Sequence, residues 1–307
     1  MTAVVRACHA AFEHTVVFYD EPADLARTLA PLVREGLDHG DAVLVCLDAP
    51  RWAALAGLLG PATAARVTYQ AADVRYARPT TALSTLLRFV EGAVRDGAPA
   101  VWSIGEVAFG GDLPDADWVR YEAAVNDVLA HLPLRAVCAY DRTALSADLL
   151  EAARLTHPVP GASPADDAHP PIAPAARAID PAGPLLVELH PVLLAADARH
   201  AVSAAVAGRL SSEREGDLEV VISELVSNGL RHGAQPVTLR VWADDRALTI
   251  EVTDAGGGLV DPFPELRPPT PDPGGLGIWL VGQLTDRLVI EHRDARTTFT
   301  ARFATAG

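Results

Sequence analysis

Eight prolines crowd the stretch from residue 158 to 184, at positions 158, 160, 164, 170, 171, 174, 181 and 184, among alanines, glycines and aspartates and without apolar periodicity. Proline has no backbone N–H to give and is excluded from helix interiors and central strands. The stretch therefore reads as a linker, semi-rigid where the prolines cluster. It divides the 307-residue chain into one unit over residues 12–157 and another over 185–304. Two domains suit this length, and 50% hydrophobic residues are ample for two cores.

The first unit alternates strand-like and helix-like patterns. Strand-like runs are Thr15–Tyr19, Ala42–Leu47, Arg66–Gln70, Ala100–Ile104 and Arg135–Tyr140, with helix-like runs such as Pro22–Leu37 and Thr81–Arg95 between them and a last helix over Leu145–Leu155. Short apolar strands separated by amphipathic helices predict a three-layer α/β domain, RecA- or Rossmann-like, whose parallel sheet is covered on both faces. In such sheets ligands bind beyond the carboxyl ends of the strands. The polar residues that fall there are Asp20, Glu21, Asp48, Glu106, Asp141 and Arg142. Asp20 and Asp48 stand near helix starts and are expected to cap them; Glu106 and Asp141 are the candidates for binding a small-molecule signal. No G-x-x-x-x-G-K-[ST] occurs, so this unit does not hold a triphosphate in the P-loop manner. The three cysteines, Cys8, Cys46 and Cys138, lack metal-ligand spacing. Cys46 and Cys138 fall inside strand-like runs and read as small core residues.

The second unit carries three short motifs in order. Glu224-Leu225-Val226-Ser227-Asn228 lies in a segment with helical periodicity at Leu218, Val221, Ile222, Leu225 and Val226, which puts Glu224 and Asn228 on one helix face. An amide oxygen there, together with triphosphate oxygens and water, is a sufficient magnesium site, and the carboxylate one turn away can polarise a hydroxyl. Asp254-Ala255-Gly256-Gly257-Gly258 follows the alternating run Ala247–Thr253, so Asp254 ends a strand, and the glycines allow close backbone approach to a flat ring or a phosphate. Leu259–Gly274 then contains prolines at 262, 264, 268, 269, 271 and 273, too many for a returning strand; it reads as a long loop of the lid kind. Gly274, Gly275 and Gly277 open an apolar helix over Ile278–Leu284, whose free N–H groups suit phosphate. Together the three motifs supply the parts of an ATP site.

These residues resemble the GHKL ATP-binding superfamily, with Glu224 and Asn228 as its N-box, Asp254, Gly256 and Gly258 as its first glycine box, and Gly275 and Gly277 as its second. Glu224–His232 and Gly275–Val281 are similar, more narrowly, to the anti-sigma-factor serine/threonine kinases. The resemblance spans residues 185–304 and implies a two-layer α+β sandwich. It further implies that Glu224 is the general base, Asn228 a Mg2+ ligand, Asp254 the adenine-reading carboxylate, and the glycines the phosphate and lid contacts. Gly229 and Ile278 depart from the pattern, which has alanine and leucine there. In the first unit His14 with Phe18-Tyr19-Asp20, Gly105-Glu106, Arg120-Tyr121-Glu122 with Asn126, Cys138–Asp141 and Thr156-His157-Pro158 resemble the MEDS sensory domains, which are implicated in sensing small molecules.

The expectation is a signalling regulator: a kinase acting on protein serine or threonine, with a sensory domain in front. The implied partners are an anti-sigma-factor antagonist or a sigma factor, and the implied assembly is a homodimer. A nucleotide-gated binding module without catalysis is the alternative. A histidine kinase is the lesser one, because His200 sits in a helix of the ATP domain itself and the linker has no heptad pattern for a phosphoacceptor hairpin. A net charge of -15 disfavours direct nucleic-acid binding. No run of about 18 apolar residues occurs and the first residues show no secretory pattern, so no membrane association and a cytoplasmic location are expected.

Overall fold

A computed structural model describes residues 12–157, 176–269 and 276–305. The chain divides into two compact units between Ala175 and Ala176. Cys8, residues 158–175 of the linker, Pro271, Pro273, Gly274 and Gly275 lie outside the described residues.

The first unit runs β1 (Glu13–Tyr19), α1 (Pro22–His39), β2 (Ala42–Leu47), α2 (Ala49–Leu59), α3 (Pro61–Ala64), β3 (Thr68–Ala71), α4 (Ala72–Arg75), α5 (Pro79–Arg95), β4 (Val101–Gly105), α6 (Asp115–Val128), β5 (Leu134–Asp141) and α7 (Ala147–Thr156). The strands form one sheet in the order β1-β5-β4-β2-β3, every pair parallel. Helix α1 forms where it does because Pro22 sits in its first turn and Gly40, at a φ of 82°, ends it in the left-handed region. Leu25, Leu29, Val33 and Leu37 repeat every fourth residue and are all buried against Val43, Val45, Leu47, Ile104, Val137 and Ala139 of the sheet. The residues between these on the strands, such as Leu44, Cys46, Val101 and Ala136, are buried too. Both faces are thus covered, and the expected three-layer α/β architecture is what the sequence builds.

Asp48 caps α2 as expected, accepting from the Arg51 N–H at 2.8 Å. Asp20 does not cap α1. The cap position belongs to Glu21, which makes no side-chain bond, and Asp20 instead takes both donors of Arg142, one of them Nε at 2.7 Å. Register explains the difference: Tyr19 pairs with Asp141, so Arg142 emerges beside Asp20, and a planar two-donor guanidinium outcompetes a single backbone N–H. Cys46 is a core residue. Cys138 is not simply one: Val137 and Ala139 face the hydrocarbon core under α1, so Cys138 faces the opposite way, 3.3 Å from His14 Nε2 and 3.4 Å from Glu122 Oε2.

The second unit runs β6 (Leu185–Leu189), α8 (Ala195–Val206), α9 (Ser212–Arg231), β7 (Thr238–Ala243), β8 (Ala247–Asp254), α10 (Leu276–Leu284), β9 (Arg287–Arg293) and β10 (Arg296–Ala304). Its sheet has the order β6-β7-β8-β10-β9 and is antiparallel throughout. Leu239, Val241 and Ala243 point into a core shared with Val202 of α8, Leu218, Val221, Ile222 and Leu225 of α9, and Val281 of α10. The alternate residue Arg240 lies on the other face, pairing with Glu188 at 2.9 Å and Glu251 at 3.3 Å. One face packed and one polar is the two-layer α+β arrangement expected. His200 is an exposed residue of α8. No helix among the described residues is long and apolar enough to cross a membrane.

Candidate functional site

Helix α9 positions Glu224 and Asn228. Ser211 caps it by accepting from the Arg214 N–H, and Glu213 and Glu215 in its first turn and Arg231 in its last complement the helix dipole. With Leu218, Val221, Ile222 and Leu225 turned into the core, Glu224 and Asn228 fall together at the helix margin. They line one cleft of about 200 Å3 with Arg231, His232 and, from α10, Gly277. Gly277 lets the carboxylate lie close to α10: a Cβ on it would stand 2.6 Å from Glu224 Oε2. Gly277 lies within the described helix Leu276–Leu284.

Asp254 ends β8 as expected and is buried. Its Oδ1 accepts from the Gly256 N–H at 2.7 Å, so the glycine box holds the carboxylate in place through its own backbone. Asn228, His232, Asp254, Gly256, Gly258 and Thr297 line a second, narrower pocket of about 40 Å3. Asn228 and His232 border both spaces, so the two pockets adjoin at the end of α9. Gly258 has a φ of +85°, and a Cβ there would lie 3.0 Å from His292 Cγ. Gly229, the departure from the family's alanine, has a local cause: an added Cβ would come within 3.3 Å of both methyl groups of Val237.

Thr297 has no motif of its own in the sequence. It reaches the pocket because β10 pairs with β8 in a register that sets Thr297 opposite Asp254, and its hydroxyl donates to the Gly256 carbonyl at 3.4 Å. Gly233 is a second such residue: it lines the same pocket, and a Cβ on it would collide with the Asp254 carboxylate. The described part of the proline-rich loop contains neither helix nor strand over 259–269, with Phe263 and Leu266 buried.

In the first unit the structure brings Glu106 and Asp141 together at the carboxyl ends of β4 and β5, through a residue that sequence reasoning passed over. Arg51 Nε lies 3.0 Å from Glu106 Oε2, its Nη2 lies 3.3 Å from Asp141 Oδ2, and its Nε also donates to the Tyr19 hydroxyl at 2.8 Å. The Tyr19 hydroxyl in turn donates to Glu106. Burial raises the Glu106 carboxyl above its ordinary range, against the opposing pull of Tyr19 and Arg51. Burial also raises Asp141, but the N–H and hydroxyl of Thr143 and the N–H of Ala144 outweigh it and hold that carboxyl low. The only available signal for Arg51 was its place one turn after Asp48, which by itself marks a helix start. A broad furrow of about 650 Å3 near Asp41, Thr68 and Arg88 lies at the amino ends of β2 and β3, the opposite end of the sheet.

Residues 13–158 match the family model of the MEDS domain, the methanogen/methylotroph DcmR sensory domain. Residues 187–303 match that of the histidine kinase-like ATPase domain. The chain is a MEDS domain fused to a histidine kinase-like ATPase domain. No curated protein matches it. The two matched spans leave residues 159–186 between them, which contain most of the proline-rich stretch. The histidine kinase-like ATPase domain implies use of ATP, typically with Mg2+, and the fusion to a MEDS domain makes the chain a signalling regulator.

Proposed function

We propose that the ATPase domain is a protein serine/threonine kinase of the anti-sigma-factor type, controlled by the MEDS domain. The observation that carries the reading is the placement of Glu224 and Asn228 in one cleft, with Gly277 close enough that a Cβ there would displace the Glu224 carboxylate. The two adjoining pockets fit a nucleotide in kind. A buried carboxylate lines the narrower one, an amide borders both, and glycine backbone stands at two places where a β-carbon would collide. Asp254 would hold the base, Asn228 the magnesium ion through its amide oxygen, and the backbone at Gly256, Gly258, Gly275 and Gly277 the phosphates and lid. Bound ATP supplies a transferable phosphoryl group. Glu224 accepts the proton of the acceptor hydroxyl, and Arg231, on the same cleft wall, offers positive charge where phosphate oxygens would gather.

The partner is an anti-sigma-factor antagonist or a sigma factor, the working form is a homodimer in the cytoplasm, and the MEDS domain takes a small-molecule signal at the Glu106–Asp141 edge. The test uses the full chain with γ-labelled ATP and magnesium in an extract of the source cells, against Glu224→Gln. A labelled protein band that falls by at least about 100-fold in the variant is expected. Absence of any band from the native chain, with ATP still bound, would replace catalysis by nucleotide-gated partner binding.

A further inference from the structure

Away from both sites, on the face of the MEDS sheet opposite α1, four side chains of the kinds that ligate metals converge. They are His14 of β1, Glu122 of α6, Cys138 of β5 and His157 at the end of α7; one donor atom from each lies within 4.8 Å of all the others. His14, Glu122 and His157 are buried. His14 Nε2 is 3.1 Å from Glu122 Oε2 and 3.3 Å from Cys138 Sγ; Glu122 Oε2 is 3.4 Å from Cys138 Sγ and 3.5 Å from His157 Nε2. Bonds of about 2.0–2.3 Å from a tetrahedral zinc ion place its ligand atoms roughly 3.3–3.8 Å apart. These four separations already approach that edge length.

The hydrogen bonds behind the rings decide which way their lone pairs point. Asn126 Nδ2 donates to the Thr156 carbonyl at 2.6 Å, which turns Asn126 Oδ1 toward His14 Nδ1 at 3.0 Å. An amide oxygen only accepts, so Nδ1 of His14 carries its proton. His157 Nδ1 lies 2.6 Å from the Ala153 carbonyl, another pure acceptor, so it too is the protonated nitrogen. In both rings Nε2 faces the cluster, oriented by a partner on the far nitrogen as metal-bound histidines are. Two imidazole lone pairs, a carboxylate and a sulfur therefore meet in a buried space, and both His157 Nε2 and Glu122 Oε1 are buried without a hydrogen-bond partner. A proton on His14 Nε2 would satisfy the His14–Glu122 contact and still leave His157 Nε2 facing the Glu122 carboxylate. A divalent cation satisfies all four groups at once. With the cysteine as thiolate, the carboxylate and thiolate cancel its charge, so no net charge is buried.

We propose that His14, Glu122, Cys138 and His157 form a closed four-coordinate site for a divalent transition metal of the zinc type in the MEDS domain. Mixed nitrogen, sulfur and oxygen donors favour such a borderline ion over magnesium or calcium. With four protein ligands no coordination position is left for water, so the metal holds structure: it ties the end of α7 and helix α6 to strands β1 and β5. Linear spacing could not announce the site, because its ligands come from four elements and His14 stands 124 residues from Cys138.

The test uses the untagged full chain, stripped with chelator and reloaded with Zn2+ or Co2+. One equivalent of zinc per chain is expected by elemental analysis. With cobalt, the intense visible bands of a tetrahedral ion and a thiolate-to-cobalt charge-transfer band are expected. Both should persist in a Cys8→Ser/Cys46→Ser variant, which leaves Cys138 as the sole thiol. Cys138→Ser should lose the charge-transfer band, and His14→Gln/His157→Gln should fall to no bound metal while the ATPase domain, a separate unit, still binds ATP. No bound metal in the native chain would overturn the proposal. So would cobalt spectra without the thiolate band, or equal stoichiometry in the double histidine variant. Should the ligand variants fail to fold, the native and Cys8→Ser/Cys46→Ser spectra decide alone.

Discussion

Replacing Gly277 by alanine separates stability from activity in a way that only the proposed site geometry predicts. The new methyl would lie 2.6 Å from Glu224 Oε2 and must move to at least 3.4 Å for ordinary contact, a displacement of about 0.8 Å. The atom in its way is the far end of a flexible carboxylate, so the collision is relieved by swinging Glu224 aside rather than by moving helix α10. Alanine in a helix is favoured over glycine by about 1 kcal/mol, which offsets most of the remaining strain. Unfolding temperature should therefore stay within a few degrees of the native value. Transfer should not survive as well. A misplacement approaching 1 Å in a group that must take a proton costs up to about 100-fold, or roughly 2.8 kcal/mol of barrier. The assay is phosphate transfer from labelled ATP by the full chain, with thermal unfolding followed on the same samples. Transfer within twofold of native would mean that Glu224 does not act from the position it holds against Gly277. A collapse in stability would mean that the helix, not the carboxylate, yields.

Three further outcomes follow from described contacts. Arg51→Met strands the largely buried Glu106 beside Tyr19 and should cost roughly 2 kcal/mol of MEDS-domain stability in urea titration, less than a fully buried pair because the guanidinium is 22% exposed; a change below about 0.5 kcal/mol would show that Arg51 is not the hub of that edge. Gly258→Ala forces a side chain into the left-handed region against His292 and should destabilise the ATPase domain by about 1–3 kcal/mol, read by chemical denaturation. Asp141→Asn tests pH linkage: the folded-state carboxyl is held below its ordinary value, so it stabilises above the ordinary carboxylate range and loses that contribution as pH falls through its lowered value. The variant should be less stable than native at pH 7 by up to about 1 kcal/mol, with the two melting curves converging on acidification, and a gap that widened instead would refute the sign.

Elements with strong local signals were legible in the chain itself. The stripe at Leu25, Leu29, Val33 and Leu37 and the one at Leu218, Val221, Ile222 and Leu225 each repeat on one helix face, and each is buried where periodicity puts it. Glu224 and Asn228 were legible because four residues on a helix bring side chains together without help from the rest of the fold. What stayed hidden depends on register between distant strands. Thr297 meets the Asp254 pocket only through the β8–β10 pairing, Asp20 meets Arg142 only through β1–β5, and Cys138 meets His14 only through that same pairing seen from one face. Arg51 was hidden for another reason: a long cation one turn into a helix could reach in several directions, and its three acidic partners sit on two strand ends and a cap.

The place of β1 in its sheet has a consequence for biosynthesis. It pairs with β5, Glu13 to Arg135 through Tyr19 to Asp141, and among the described residues it is an edge strand with no other neighbour in its sheet. At about 5–20 residues per second, a ribosome needs roughly 6–25 seconds to make the chain that separates the two strands. For that interval the apolar run Val16-Val17-Phe18-Tyr19 has no native partner and exposes an unpaired hydrogen-bonding edge to other nascent chains. The first of the described strands to be made is thus the last to join, and any chain that stops short of Asp141 carries a sticky segment at β1 with no seat in the fold.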